Sequence, residues 1–378
     1  MKLELSFSAA LLSSLLVCSC KSQSAQTDDF DGIIIEAPLL NETPTDKPVF
    51  SDYIESIDTI RLDDSVLESY IGYSMNIKCA SDYIFIQYNS GVYLFDYQGK
   101  YVRRINKIGR GHGEYLSMKC YDIQEERKIV SIYDLQTASI YEYSFNGDFV
   151  KKIPISQYIC SFAALSNGHY LLFNYEDVAI KGLFEIDNDG NVIRTLFEIP
   201  AYFKHVYHEE PFLIHLNNDV ISCRGLEDSN IIYHFENDSL RPAFKINTDI
   251  VMPREVMEMS KLWDNMDREY SKILFCETER FMSVTLFNMD VWVTVFYDNK
   301  KNHLYRLHMS EYLKDNSLND LFPYAHHTYN GRLADVIDYQ DIEKDETLRK
   351  KFPDMTMESN PVLVIYNVEL GTVPFSTY

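Results

Sequence analysis

The stretch VYLFDYQGKYVRRI, Val92 to Ile105, recurs along the chain and decides the fold. IYEYSFNGDFVKKI (Ile140 to Ile153) and LFEIDNDGNVIRTL (Leu183 to Leu196) follow the same template, 48 and then 43 residues further on. In each copy an aromatic residue stands six positions before a turn glycine, and an aliphatic residue stands six positions after it. A repeat of this period predicts one supersecondary unit that is stacked several times.

Each copy is the second half of a predicted four-stranded unit. Glycine and asparagine between the strands permit the positive φ of tight hairpins, so each unit is an antiparallel meander. Aromatic residues make up 14% of the chain and favour strands. The strands predicted for the first unit are Ser74–Ser81, Tyr83–Tyr88, Val92–Tyr97 and Tyr101–Ile105.

Five complete units and a partial sixth raise the question of how the array ends. The last unit, which closes with NPVLVIYNVEL (Asn360 to Leu370), lacks an outer strand, whereas SIDTIRL (Ser56 to Leu62) precedes the first unit without a partner. If this N-terminal strand completes the last sheet, a ring closes and its edges are protected. The sequence therefore predicts an all-β fold over residues 51–378: a six-bladed β-propeller of four-stranded antiparallel blades.

Two stretches interrupt the strands and predict short helical insertions. Thr248 to Ser271 has apolar residues at helical spacing, with Pro253 near its start as helix openings permit. This insertion either packs on the scaffold or acts as a lid over a site. Asp341 to Lys351 is the second helical stretch.

The N-terminus predicts export. Residues 1–19 have a short apolar core, too short to span a bilayer, and read as a signal peptide. The closing Val17-Cys18-Ser19-Cys20 resembles a bacterial lipobox, which would make Cys20 a lipidated N-terminus that binds the membrane. The alternative is ordinary cleavage and release. Residues 20–50 then form a flexible tether. The residue after Cys20 is Lys21 and not aspartate, which favours an outer-membrane lipoprotein of the cell envelope.

Charge and cysteine content exclude several functions. A formal net charge of −22 repels polyanions, so nucleic acid is not an expected partner. The cysteines beyond the leader show no CxxC spacing and are expected to be small apolar residues of inner strands, with a disulfide as the alternative. Their intervals suggest that the first three occupy equivalent positions in successive repeats. The five cysteines beyond the leader are Cys79, Cys120, Cys160, Cys223 and Cys276.

One loop carries a family resemblance. In YLFDYQGKYVRRINKIGRGHGEYLSMKCYDI (Tyr93 to Ile123) the first template copy is followed by a GxGxGEY loop, Gly109 to Tyr115. With the closing NPVLVIYNVEL, this stretch resembles the six-bladed β-propeller lipoproteins of Bacteroidota, a family similar to NHL-type propellers. The resemblance covers about Ser51 to Leu370. It implies the fold and the cell-envelope location, and because most members lack an assigned activity it implies little about function.

The same loop is the candidate binding segment. Arg110, His112, Glu114 and Tyr115 bring a cation, an imidazole, a carboxylate and a phenol together among three glycines. A phosphate-binding loop would open a helix, whereas this loop leads into a strand. Two readings remain: a structural crossover between the first two blades, or a ligand contact at the mouth of the propeller channel.

Other groupings are weaker. His205, His208 and Glu209, followed by a second glutamate, have ligand types that suit zinc. The pair His326-His327 near Asp335 and Asp338 has them too. No cofactor is required by the sequence, although a divalent ion is compatible with it.

The leading functional hypothesis is a membrane-anchored, non-catalytic module that presents loops to a protein or glycan partner. The alternative is a hydrolase, lyase or lactonase that uses carboxylates or a metal ion at the channel mouth.

Overall fold

The fold is a ring of six sheets. The computed structural model describes residues 30–36, 50–64, 76–155, 157–174, 181–199, 212–218, 220–224, 231–247, 271–287, 292–308 and 327–368. Two strands precede the blades, β1 (Ile33–Glu36) and β2 (Ile54–Arg61), separated by a 3-10 turn at Phe50–Asp52. Every blade contains four antiparallel strands, as the sequence predicts.

The first three blades contain the template copies. Blade 1 comprises β3 (Asn76–Cys79), β4 (Ile84–Tyr88), β5 (Gly91–Phe95) and β6 (Tyr101–Ile105). Blade 2 comprises β7 (Met118–Gln124), β8 (Ile129–Asp134), β9 (Ser139–Ser144) and β10 (Phe149–Pro154). Blade 3 comprises β11 (Ser161–Ala164), β12 (Tyr170–Asn174), β13 (Gly182–Ile186) and β14 (Val192–Glu198).

The remaining blades follow the same order of strands. Blade 4 comprises β15 (Leu213–His215), β16 (Ile221–Arg224), β17 (Ile231–Glu236) and β18 (Ser239–Asn247). Blade 5 comprises β19 (Ser271–Glu277), β20 (Phe281–Phe287), β21 (Trp292–Asp298) and β22 (His303–His308). Blade 6 comprises β23 (His327–Tyr329), β24 (Arg332–Ile337) and β25 (Val362–Val368), with β2 as its fourth strand.

The ring closes through its N-terminal strand. Strand β2 pairs antiparallel with β25, from Ile54 opposite Val368 to Arg61 opposite Val362. The predicted closure is therefore confirmed, and the outer edge of the last blade comes from the start of the chain. Because β2 supplies the fourth strand of the last blade, the first and last parts of the array are joined in one sheet. Closure of this kind protects strand edges that an open array would leave unpaired.

The core lies between neighbouring blades. Apolar residues of blade 1, such as Phe85 and Leu94, pack with Tyr121 and Tyr143 of blade 2. Inner strands are buried on both faces, whereas the outer strand β14 is largely exposed. This gradient explains why the template changes from an apolar third strand to a charged fourth strand.

The template glycine has two structural roles. Gly99, Gly147 and Gly190 occupy the turn between the third and fourth strands with φ of +79°, +83° and +89°. At Gly99 an added Cβ would lie 1.9 Å from the carbonyl oxygen of Arg61, and at Gly190 it would lie 2.0 Å from that of Pro154. Each of these two turns therefore abuts the end of the preceding blade's outer strand, which joins turn geometry to blade packing.

The predicted helix near the C-terminus is confirmed as two short helices, α1 (Tyr339–Lys344) and α2 (Glu346–Lys351). Asp338 and Asp345 cap them by accepting hydrogen bonds from backbone amides of the first turns. The predicted insertion at 248–271 lies outside the described residues except for its last residue. In the part of the chain that the structure describes, no helix is long and apolar enough to cross a membrane.

One apolar segment of the predicted tether forms a strand. Four of its residues, Ile33–Glu36, form β1, which pairs in parallel with Phe244–Asn247 of β18 and adds a fifth strand to blade 4. The run of β-branched isoleucines favours a strand, and Ile35 is buried against Phe244 and Ile246. This segment therefore contributes to the outer edge of a blade.

The five cysteines are buried, as their apolar setting predicts, and no disulfide joins any two of them. Their proposed equivalence does not hold for all of them. Cys79 is the last residue of β3, opposite Ile84, whereas Cys120 lies opposite Tyr133 near the other end of its strand. Equal spacing in sequence thus does not mark equal positions, because the loops between blades differ in length.

Burial gives the cysteines a testable property. It raises the pKa of the Cys79 and Cys276 thiols to about 12, so few thiolates form at neutral pH. We expect no reaction of the five with a maleimide at pH 8 in the native state, and complete reaction in urea. Mass spectrometry of labelled peptides separates these sites from Cys18 and Cys20. Rapid native labelling of Cys79 would contradict its burial.

Candidate functional site

The glycine loop, residues 106–117, joins the outer strand of blade 1 to the inner strand of blade 2. Its two arms are hydrogen-bonded: the Tyr115 amide donates to the Lys107 carbonyl at 2.9 Å, and the Gly109 amide donates to the Tyr115 carbonyl at 3.0 Å. The Glu114 amide donates to the Gly111 carbonyl at 3.2 Å. These bonds fix the loop as an ordered crossover.

Glu114 points into its own loop. Its Oε2 accepts a hydrogen bond from the Gly111 amide at 2.6 Å. A Cβ added at Gly109 would lie 1.9 Å from the same oxygen. The first two glycines of the motif therefore make room for this carboxylate, and Glu114 acts in loop structure rather than as a free acid.

Tyr115 and Gly113 also have structural roles. Tyr115 is fully buried and its hydroxyl donates to the Ser90 carbonyl at 2.5 Å; burial raises its pKa to about 12. Gly113 has φ of +72°, and its carbonyl accepts from the Tyr143 hydroxyl at 2.7 Å. The GEY end of the motif thus fastens the loop to the turn that precedes β5 in blade 1 and to β9 in blade 2.

Arg110 and His112 are exposed and face an open depression of 490 Å³, which we call the glycine-loop cleft. The His112 ring contacts the Phe149 ring edge-on, with centroids 5.0 Å apart. The lining comprises Gly109–Glu114, Leu116, Thr137, Tyr141, Phe149, Lys151 and Lys152. The structure brings together the predicted Arg110, His112 and Glu114 there, and it places Tyr115 beneath the loop.

The blade residues of the cleft come from the outer half of blade 2. They lie on β9 and β10 and at the turn that precedes β9, and the innermost strands contribute none of the described lining. The cleft therefore opens beside the outer strands of blade 2.

Two lysines that the sequence analysis overlooked lie in the cleft. Lys152 is exposed, with its ammonium 5.1 Å from the centre of the Tyr141 ring. The Lys151 ammonium is 2.9 Å from Asn188 Oδ1 and 3.4 Å from Glu142 Oε1. Their signal is the KK of the second template copy, two adjacent residues on the outer strand β10, of which Lys152 lies opposite Tyr141 and Lys151 opposite Glu142.

A second polar site, the axial cluster, was also overlooked. It joins Asp122 of β7 to Lys78 of β3 and His215 of β15. The Asp122 carboxylate is 3.1 Å from Lys78 Nζ and 2.8 Å from His215 Nε2, and it accepts from the Ala164 amide at 2.7 Å. Four blades thus meet at one fully buried carboxylate. The available signal was an ionisable residue beside apolar neighbours in each of three inner strands, Lys78 in β3, Asp122 in β7 and His215 in β15.

Electrostatics keeps Asp122 ionised. Burial alone would raise the pKa of its carboxyl, but the Lys78 ammonium and the His215 imidazole hold that pKa well below its usual range. The rings of Tyr121 and Tyr329 enclose Lys78, with centroids 5.7 and 5.3 Å from Nζ. The cluster is therefore a compact charged network between blades.

The cavity beside the axial cluster is small. It has a volume of 30 Å³ and is lined in part by Gln124, His215 and Tyr329. A ligand pocket usually has about 300–1,000 Å³, whereas about 10–15 Å³ accommodates one water. The paired imidazole and carboxylate resemble a general-base arrangement, but the site as described has no room for a substrate.

The weaker metal candidates receive no support from the described residues. His205, His208 and Glu209 lie outside them, as does His326. Where residues are described, no three histidine, cysteine, aspartate or glutamate side chains are grouped to hold a metal ion. Asp338 instead caps α1, accepting from Gln340 N at 2.7 Å and Asp341 N at 3.0 Å.

The fold and the polar sites define a six-bladed β-propeller with a glycine-loop cleft between its first two blades. A profile described as a domain of unknown function, DUF4934, matches residues 34–367, so the chain belongs to this family. No functionally curated protein matches the sequence.

Two solved structures share the fold. A candidate exported protein of Bacteroides fragilis superposes with a TM-score of 0.71 at 15% identity, covering 89% of this chain and 99% of that one. A member of the DUF4221 family from Bacteroides vulgatus has a TM-score of 0.54 at 8% identity, covering 84% and 98%. At these sequence identities the similarity shows a shared fold and nothing more specific.

Proposed function

We propose that the protein is a non-catalytic binding module of the cell envelope, anchored through lipidated Cys20, that presents the glycine-loop cleft to a protein or glycan partner. The observation that carries the proposal is the cleft itself: 490 Å³ of open space bounded by a fixed loop and by cationic side chains. Binding surfaces need groups that are held in place yet still exposed, because ordering them on binding costs free energy. Lys152, whose ammonium rests on the Tyr141 ring, meets both conditions, and Arg110 is exposed on the hydrogen-bonded loop.

The division of roles within the loop supports binding over catalysis. Glu114, which could serve as an acid or base, already accepts the Gly111 amide at 2.6 Å. Tyr115 is buried and hydrogen-bonded. The exposed groups, Arg110 and His112, can make charge-assisted hydrogen bonds to a partner.

The envelope location rests on the N-terminal pattern of the sequence. The lipobox-like ending at Cys20 supports export followed by lipidation. The shared fold with a candidate exported protein of Bacteroides fragilis agrees with this address.

Charge reversal in the cleft tests the proposal. We expect the pair Arg110→Glu and Lys152→Glu to reduce partner recovery at least tenfold when the full-length protein is cross-linked and purified from native membranes. The reason is that two cations facing the partner become two carboxylates. Recovery is measured by quantitative mass spectrometry of proteins and by glycan analysis.

Lys344→Glu is the matched control, because Lys344 is an exposed helical lysine outside the cleft. It should leave recovery unchanged. Equal recovery of all partners by the double variant and the wild type would refute the cleft as the working surface.

A further inference from the structure

The glycine-loop cleft is basic, whereas the protein as a whole is acidic. The chain has a formal net charge of −22, yet the lining of the cleft includes three basic residues, Arg110, Lys151 and Lys152, against one carboxylate, Glu114. The Lys151 ammonium itself is turned to Asn188 and Glu142, outside the lining. That carboxylate is held by the Gly111 amide and fills the space above Gly109. The cleft is therefore a local basic site on an acidic protein.

The cations differ in how far they are already engaged. Lys151 contacts Asn188 and the buried Glu142, so part of its charge is satisfied. Lys152 rests on the Tyr141 ring and keeps its ammonium exposed. Arg110 is exposed and forms no hydrogen bond or ion pair among the described residues. Arg110 and Lys152 are thus the two groups available for an anion.

The size of the cleft selects a small ligand. Its 490 Å³ lies within the range of about 300–1,000 Å³ that is usual for small-molecule sites. A protein partner would instead need about 800 Å² of matched surface on each side. The concave shape, with Phe149 and His112 on its wall, fits one or two rings of sugar size better than a protein surface.

The surrounding field limits the length of the ligand. An acidic surface repels an extended polyanion, although the repulsion is screened beyond about 8 Å at physiological ionic strength. A short ligand with one or two acidic groups gains from the cleft cations without much exposure to the rest of the surface. Carboxylates suit Arg110 in particular, because a guanidinium can bind them with two parallel hydrogen bonds.

We propose that the glycine-loop cleft binds the carboxylates of a short acidic oligosaccharide of one or two uronic-acid rings. This inference rests on the proposed function as a binding module and names its ligand class. Arg110 and Lys152 bind the carboxylates, and the Phe149 and His112 rings contact an apolar face of the sugar.

Calorimetric titration of the purified protein with digalacturonate tests the inference. The wild type should bind with one-to-one stoichiometry and with an affinity that falls as salt is raised. Arg110→Ala and Lys152→Ala should each weaken binding at least tenfold, because each removes a charge-assisted contact. Lys344→Ala should match the wild type, and neutral cellobiose should not bind.

The outcomes separate the two proposals. No saturable binding of digalacturonate, or equal binding by wild type and both cleft variants, overturns the acidic-sugar inference. If membrane cross-linking then still recovers a protein partner that the charge-reversed variant loses, the binding module stands with a protein as its ligand. If both experiments show no dependence on Arg110 and Lys152, both proposals fail.

Discussion

Replacing Asp122 with asparagine is expected to lower the free energy of unfolding by about 3–5 kcal/mol, because it leaves the largely buried Lys78 ammonium without its counter-charge. Lys78 Nζ and His215 Nε2 lie 3.1 and 2.8 Å from the Asp122 carboxylate, which is fully buried. A typical domain is stable by only about 5–15 kcal/mol, so the effect should be large in urea unfolding.

An exposed ion pair provides the control. Asp82 lies 2.9 Å from Lys128, and both side chains are at least half exposed. Asp82→Asn should cost less than about 1 kcal/mol, since solvent screens such pairs. If Asp122→Asn and Asp82→Asn shift the urea midpoint equally, the axial cluster does not hold the blades together.

The effect of Asp122 should depend on pH in a defined direction. Its folded-state pKa lies below the unfolded value of about 3.9, so its contribution is complete above that pH and is lost as the pH falls towards the folded pKa. The difference in midpoint between wild type and Asp122→Asn should therefore be full at pH 7 and smaller at pH 3. A difference that grew on acidification would contradict the depressed pKa.

A second substitution keeps the test informative if Asp122→Asn unfolds. Adding Lys78→Met removes the stranded ammonium, and replacing a buried ion pair by apolar groups is often close to neutral. The double variant should therefore recover part of the lost stability. Further loss would show that Lys78 stabilises the fold through other contacts, such as its approach to the Tyr329 ring.

The sequence predicts the ring well because its signals are local and repeated. Alternating apolar residues and turn glycines specify each meander, and the unpaired Ser56–Leu62 specifies the closure that β2 provides. Strand β1 was harder to foresee. Its pairing with β18 joins residues far apart in sequence, and no local rule selects blade 4 as the partner.

The candidate site was predicted in part. The motif identifies the loop, but spacing alone cannot tell that Glu114 turns inward or that Tyr115 is buried. Lys152 joins Arg110 only because the loop folds over the outer strands of blade 2. The axial cluster could not be predicted for a similar reason. Asp122 and His215 lie 93 positions apart and meet only because the fold brings the inner strands of blades 2 and 4 together.

The template glycine is expected to matter most where its turn abuts the outer strand of the preceding blade, as Gly99 abuts β2. Gly99→Ala should cost about 2–5 kcal/mol, the sum of about 1–2 for a left-handed backbone and about 1–3 for overpacking. The added Cβ would lie 1.9 Å from the Arg61 carbonyl, so β2 must move. Urea unfolding measures the cost, and hydrogen exchange in β2 reports where the structure loosens.

Gly147 separates turn geometry from packing. Its φ of +83° matches that of Gly99, but an added Cβ would meet its nearest neighbour only at 3.9 Å. Gly147→Ala should therefore cost only the backbone strain of about 1–2 kcal/mol and leave hydrogen exchange in β2 unchanged. Gly190→Ala, with its contact of 2.0 Å to Pro154, should resemble Gly99→Ala in cost. Equal costs at all three positions would mean that the repeated glycine serves the hairpin alone, and that packing between blades is set by other residues.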